Sequence, residues 1–75
     1  MYRIREIRED RDFSQAHIAR VIRTTQQQYS KIEMGKADIN GEKLMLLAEF
    51  YNLSVDYILG LTDKPIPLHE RKSLR

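Results

Sequence analysis

Apolar residues recur along this chain at helical spacing, in five short stretches separated by polar residues. Ile4 and Ile7 stand three apart. Ile18, Ala19 and Ile22 share one face of a second stretch, with Val21 at its edge, and Tyr29 and Ile32 mark a third. The fullest stripe is Leu44, Leu47, Ala48 and Tyr51, and Val55, Ile58 and Leu59 close the series. Each spacing keeps its apolar side chains on one side of a helix with 3.6 residues per turn. No strand-like alternation appears.

The polar residues between the stripes supply boundaries. Ser14, Thr25, Asn40 and Ser54 each precede a stripe, and each can accept from the free amides of a first helical turn. Gly35 and Gly60 follow the third and fifth stripes as stops, and Asn52-Leu53 ends the fourth. Asp63-Lys64-Pro65-Ile66-Pro67 cannot continue a helix. This predicts helices over residues 2–10, from Ser14 to the turn at Arg23-Thr24, and over 26–34, 41–51 and 55–59. Arg5 and Glu9 form an i, i+4 pair on the wet face of the first helix. The charge run 8–12 reads as its solvated end, with Phe13 dropping back into the core. Met45, Leu46 and Phe50 lie beside the inner stripe of the fourth helix. They belong either to a broad core or to a surface covered by a partner subunit, and the broad core is the simpler account.

The fold class is therefore all-α, five short helices in one domain over residues 1–63, followed by a short basic tail over 64–75. The last eight residues, LHERKSLR, are expected to fray unless a partner chain or DNA orders them. The core available to 75 residues is small, so dimerisation is a plausible additional source of stability.

Composition removes several function classes. There is no cysteine, hence neither a disulfide framework nor a thiolate metal site. His17 and His69 are far apart and form no ligand cluster, so no metal and no cofactor is expected. No nucleophile–base pair, paired acids or phosphate loop suggests catalysis. No apolar run approaches the roughly 20 residues of a membrane span, and no signal peptide opens the chain. A cytoplasmic location is expected.

The net charge of +2 conceals a pattern. Residues 1–13 balance four arginines against four acids. Residues 14–37 set Arg20, Arg23, Lys31 and Lys36 against Glu33, for +3; residues 38–63 sum to −4, and the tail returns +3. The basic excess thus coincides with the second and third helices, where contact with a polyanion would need it.

The third helix also carries the candidate chemistry. With Tyr29 and Ile32 turned inward, Gln26, Gln27, Gln28, Ser30 and Lys31 face out. Glutamine offers a donor and an acceptor together, matching N6 and N7 of adenine in the major groove of DNA. Lys31 suits a guanine edge or a phosphate, and Lys36, in the following loop, a backbone phosphate. Gln15, in the first turn of the second helix, suits a phosphate oxygen or the bracing of a neighbouring glutamine. The plainer alternative is a solvated helix face. A capped start, a preceding helix of about two turns and a three-residue connection favour the recognition reading.

The order SQ..IA..I..TTQQ.YSKIE.GK, followed by L..LA.FYNLSVDYILGLTD, resembles the phage lambda repressor and Cro type of helix-turn-helix, also called the XRE family. The resemblance covers about residues 2–63. It implies a five-helix domain that binds double-stranded operator DNA as a two-fold homodimer and regulates transcription, most often as a repressor. Gln15 then resembles the family's phosphate-contacting glutamine. Gln26 and Gln27 resemble its base-reading residues, and Lys31 falls one turn later on that face. Thr25 caps the recognition helix and can donate to phosphate, while Glu33 and Gly35 belong to the fold. Helix five and the loop after it, Ile58 to Leu61, are the expected dimer surface. Small chains of this type also serve as antitoxins with a protein partner; the apolar sides of helix four and the basic tail suit that role. Two positions depart from the family. Arg23 stands in the turn where glycine is usual, implying strain of roughly 1 kcal/mol if the residue is left-handed, and is a candidate phosphate contact. Gln28 replaces a smaller residue.

Overall fold

In the computed structural model, residues 2–68 are described. They form five helices: α1 (Ile4–Asp10), α2 (Gln15–Val21), α3 (Gln26–Glu33), α4 (Gly41–Tyr51) and α5 (Val55–Ile58). None of the described residues is in a strand. The caps fall where the sequence places them. The side chains of Ser14, Thr25, Asn40 and Ser54 accept from the amides of His17, Gln28, Lys43 and Tyr57 at 2.9–3.1 Å. Each satisfies one of the amides that a helix start leaves without a partner.

The helix ends follow one pattern. After α1, α2, α3 and α5 the chain takes a left-handed residue: Asp12, Arg23, Gly35 and Gly60, with φ of 61°, 62°, 77° and 80°. In each case its amide and the next one turn back onto carbonyls of the last turn, as Arg23 N does to Arg20 O and Thr24 N to Ala19 O. This reciprocal pair closes a helix and reverses the chain at once. At the end of α4, Asn52 is left-handed and Leu53 N donates to Ala48 O. Helices of only four to eleven residues thus stop sharply enough to pack on one another.

α1 begins two residues later than its apolar pattern suggests, because Arg3 is held by the far end of the domain. Its amide donates to Ile58 O at 2.8 Å. Its guanidinium reaches Tyr57 O, Thr62 O and Asp63 and lies 4.8 Å from the centre of the Tyr57 ring. Arg3 thus supplies donors to two of the last carbonyls of α5, Ile58 O and Tyr57 O, the second of which also accepts from Gly60 N.

Twelve of the described residues are buried and make the core, among them Ile4, Ile7, Ile18, Ile22, Tyr29, Ile32, Leu47 and Ile58. α2 packs on α3 and α4, and α4 on α5. Ala19, 2% exposed, leaves room for the helix crossing α2. The lateral residues of α4 divide: Leu46 packs against the core, whereas Met45 and Phe50 remain 44% and 40% exposed. Phe13 is half-buried, in ring contact with His17 at 5.0 Å and with Phe50 at 5.2 Å. After α5 the chain folds back: Ser54 N donates to Ile66 O, and Leu68 packs against the core. The first five residues after Asp63 therefore lie on the helices, while His69 and the rest of LHERKSLR lie outside the described residues.

Two expectations from the sequence are corrected here. Ile58 is 0% exposed, so it is part of the core of a single chain and offers no surface to a partner. Arg8 is not part of a solvated end: its side chain is only 12% exposed and is paired with Glu33. Burial follows from tertiary neighbours that helical spacing does not reveal.

Arg23 has the left-handed backbone that family glycines adopt freely. Lys43 spans the turn, its Nζ donating to Ile22 O and Arg23 O at 3.3 and 3.4 Å. Arg23→Gly relieves the steric cost of a side chain there, partly offset by the greater entropy of the unfolded chain. The variant is expected to gain about 0.5–1 kcal/mol in urea unfolding.

Candidate nucleic-acid interface

The unit from Ser14 to Gly35 presents one shallow groove. Gln15 at the start of α2, Gln26, Gln27, Ser30 and Lys31 on α3, and Met34, which caps the end of α3, line it together. Five of these six residues are among those singled out from the sequence. Met34 is the addition, 54% exposed at the end of α3. Thr25 stands at the helix start with its hydroxyl oxygen accepting from Gln28 N, which leaves the hydroxyl proton free to donate outward. Gln28 is exposed but does not line the groove. Arg23 and Lys36 are exposed at the two ends of α3, in the turn and in the following loop.

The cations sort into two groups. Arg3, Arg5 and Arg8 are engaged by carboxylates, and Arg11 donates to Tyr51 O. Among the described residues, Arg20, Arg23, Lys31 and Lys36 are paired with no carboxylate. Apart from Lys64, which follows α5 and also has no carboxylate partner among the described residues, the charge available to a polyanion lies on the helix pair that carries the groove and on its flanking loops.

Beneath the groove is a buried ion pair. Arg8 Nε and Nη2 donate to Glu33 Oε2 and Oε1 at 2.6 and 3.2 Å, and Nη1 donates to Phe13 O. Only 2% of the Glu33 side chain is exposed. Gln15 Nε2 donates to Glu33 Oε1 at 3.0 Å. A carboxylate can only accept, so it fixes which end of the Gln15 amide points inward. The second amide proton and the carbonyl oxygen of Gln15 are left for the groove. Of its two expected roles, phosphate contact and bracing of a glutamine, the structure adds a third: Gln15 is itself braced, by Glu33.

The family model described as Helix-turn-helix matches residues 4–58. The chain belongs to the helix-turn-helix family, of the lambda repressor and Cro type. Over 73 residues, 97% of this chain, it is 38% identical to a Bacillus subtilis (strain 168) protein named "Uncharacterized HTH-type transcriptional regulator YobD". The chain spans 65% of that protein's length. No solved structure gives a significant match.

In this helix-turn-helix protein the ion pair also sets local titration. Burial opposes charge on Glu33, but the hydrogen bonds led by that of Arg8, with the guanidinium charge, outweigh it. The carboxyl is held below its ordinary 4.5. The Tyr29 hydroxyl is buried against this carboxylate without a well-formed hydrogen bond; burial first, then the negative charge, push its pKa far up. Burial likewise pushes Tyr51 up to about 12. The sequence marks Glu33 as a helix-end residue, but its pairing with Arg8, 25 positions away, has no signal in local periodicity. The one clue is an arginine one residue beyond the α1 stripe at Ile7.

A depressed carboxyl contributes stability that is present above its ordinary pKa and lost as pH falls through the folded value. Arg8→Ala leaves Glu33 charged, buried and unpaired, and is expected to cost about 3–5 kcal/mol at pH 7. Without the guanidinium, burial raises the Glu33 pKa, so the carboxyl takes up a proton readily in acid. The deficit relative to the natural sequence should shrink between pH 7 and pH 4, as read by denaturant unfolding at both values. A deficit independent of pH would assign the loss to packing instead.

Proposed function

We propose that this protein is a sequence-specific double-stranded DNA-binding regulator of transcription, acting as a repressor that occupies a promoter. The observation that carries this reading is the coincidence of three features on α2 and α3. They are a polar groove lined by glutamines, cations with no carboxylate partner among the described residues, and membership of the helix-turn-helix family.

In this reading α3 enters the major groove with its N-terminal turn leading. Gln26 and Gln27 read base edges, each able to pair donor and acceptor with adenine. Lys31, one turn later, reads guanine or holds a phosphate, with Gln28 and Ser30 beside it. Gln15, Thr25, Arg23 and Lys36 contact backbone phosphates around the groove and set the register. Glu33 acts through Gln15, by holding its amide.

A homodimer places two recognition helices about 34 Å apart, one turn of duplex. With Ile58 enclosed in the core, the remaining candidate surface on this side is the segment after α5. There Leu61 is 73% exposed, the most exposed of the large apolar residues described. An antitoxin-like role with a protein partner is the second reading. It rests on Met45 and Phe50, both exposed on α4, with Phe50 beside the Phe13–His17 stack.

Selection from a random duplex library, followed by binding at two salt concentrations, tests the proposal. A two-fold site bound far more tightly than scrambled DNA, and weakened by salt, is the expected result. Gln27→Ala is expected to lose about 1–3 kcal/mol on the selected site and much less on scrambled DNA. An equal loss on both would assign Gln27 to the phosphate backbone. Unselective binding together with a stoichiometric co-purifying protein would favour the second reading.

A further inference from the structure

Met34 is the apolar residue in a groove otherwise lined by amides, a hydroxyl and an ammonium. It is 54% exposed, and no core packing explains its side chain. It follows Gln27 and Lys31 at i, i+4 and i+7, so the three form one stripe along α3. Side chains on a helix lean toward its N-terminus, which directs the Met34 side chain back toward the turn carrying Ser30 and Lys31, where it borders the groove on one side and Glu6 and Glu9 of α1 on the other. Seven residues of helix span about 10.5 Å, which for a helix inclined to the duplex is at most about three base steps.

The apolar group that the major groove offers is the C5-methyl of thymine. A long, unbranched and polarisable side chain is suited to meet it where the helix has begun to leave the groove. Resting on the DNA-binding reading above, we propose that Met34 is a specificity-determining residue of this protein. Its side chain packs on the C5-methyl of a thymine within about three base pairs of the base read by Gln27. The end of α3 then contributes to sequence choice, and the stripe reads by hydrogen bonds at one end and by apolar contact at the other.

Uracil substitution tests this, because deoxyuridine differs from thymidine by that methyl alone. The full chain, its Met34→Ala and its Met34→Leu variants are titrated with the library-selected duplex, each thymine replaced in turn by uracil. The expected result is one position per half-site where uracil weakens the natural protein about fourfold, the effect of one buried methyl. Met34→Leu retains that sensitivity and Met34→Ala loses it. The position lies within about three base pairs of the one whose discrimination Gln27→Ala abolishes. Circular dichroism confirms that Met34→Ala is folded, as its exposure leads one to expect. The inference is overturned if no uracil affects the natural protein, if Met34→Ala keeps the same sensitivity, or if the selected site has no thymine there. Failure of the DNA-binding reading itself shows earlier, as the absence of any selected site, and removes this inference with it.

Discussion

The Arg8–Glu33 pair is the interaction on which the rest of this domain depends. It joins the middle of α1 to the last residue of α3, where Glu33 is almost wholly enclosed. An ionised carboxylate so placed would be costly without a partner. The two-pronged guanidinium contact, the Phe13 carbonyl on Arg8 and the Gln15 amide on Glu33 together satisfy both charges. The pair is therefore an orientation device more than a source of net stability. The arrangement that satisfies it also fixes α1 against the α2–α3 corner and turns the Gln15 amide toward the groove. A core constraint and a surface property thus share one carboxylate.

The second constraint is the brevity of the helices. An isolated helix of seven or eight residues is not stable in water, so α1, α2 and α3 exist because their ends are finished and their apolar faces are covered. Four side-chain caps and five left-handed residues do the finishing. Arg3 performs a similar task across the domain, carrying donors from the N-terminal segment to the end of α5. Lys43 does so for the end of α2. These long cationic side chains hold adjacent helix ends together where the core is too small to do so alone.

That division of labour accounts for the charge on the surface. Arginines 3, 5, 8 and 11 hold structure, and Lys43 closes a helix end. The cations of α2, α3 and their loops are committed to nothing within the described chain. A net charge of +2 conceals this because the structural and the available cations are counted alike. The groove joins one of these, Lys31, to glutamines whose amides can read bases, and Arg23 and Lys36 flank α3 at its two ends, which gives the proposed function its physical basis.

Much of this was legible in the residues. Ser14, Thr25, Asn40 and Ser54 announce helix starts through chemistry that acts within three positions. The spacings of Ile18, Ala19 and Ile22, or of Leu47, Ala48 and Tyr51, report the inner faces because helical period is a local property. The polar face of α3 follows by subtraction from Tyr29 and Ile32. What the sequence by itself determined is thus the five helices, their buried stripes and the candidate groove residues on α3. Only the tertiary structure decided that Arg8 turns inward, that Ile58 is enclosed and that Gln15 is held by Glu33. Each of these depends on which residue from a distant position arrives beside it. Spacing along one helix carries no information about that, because it is settled by how α1 and α5 close over the other helices.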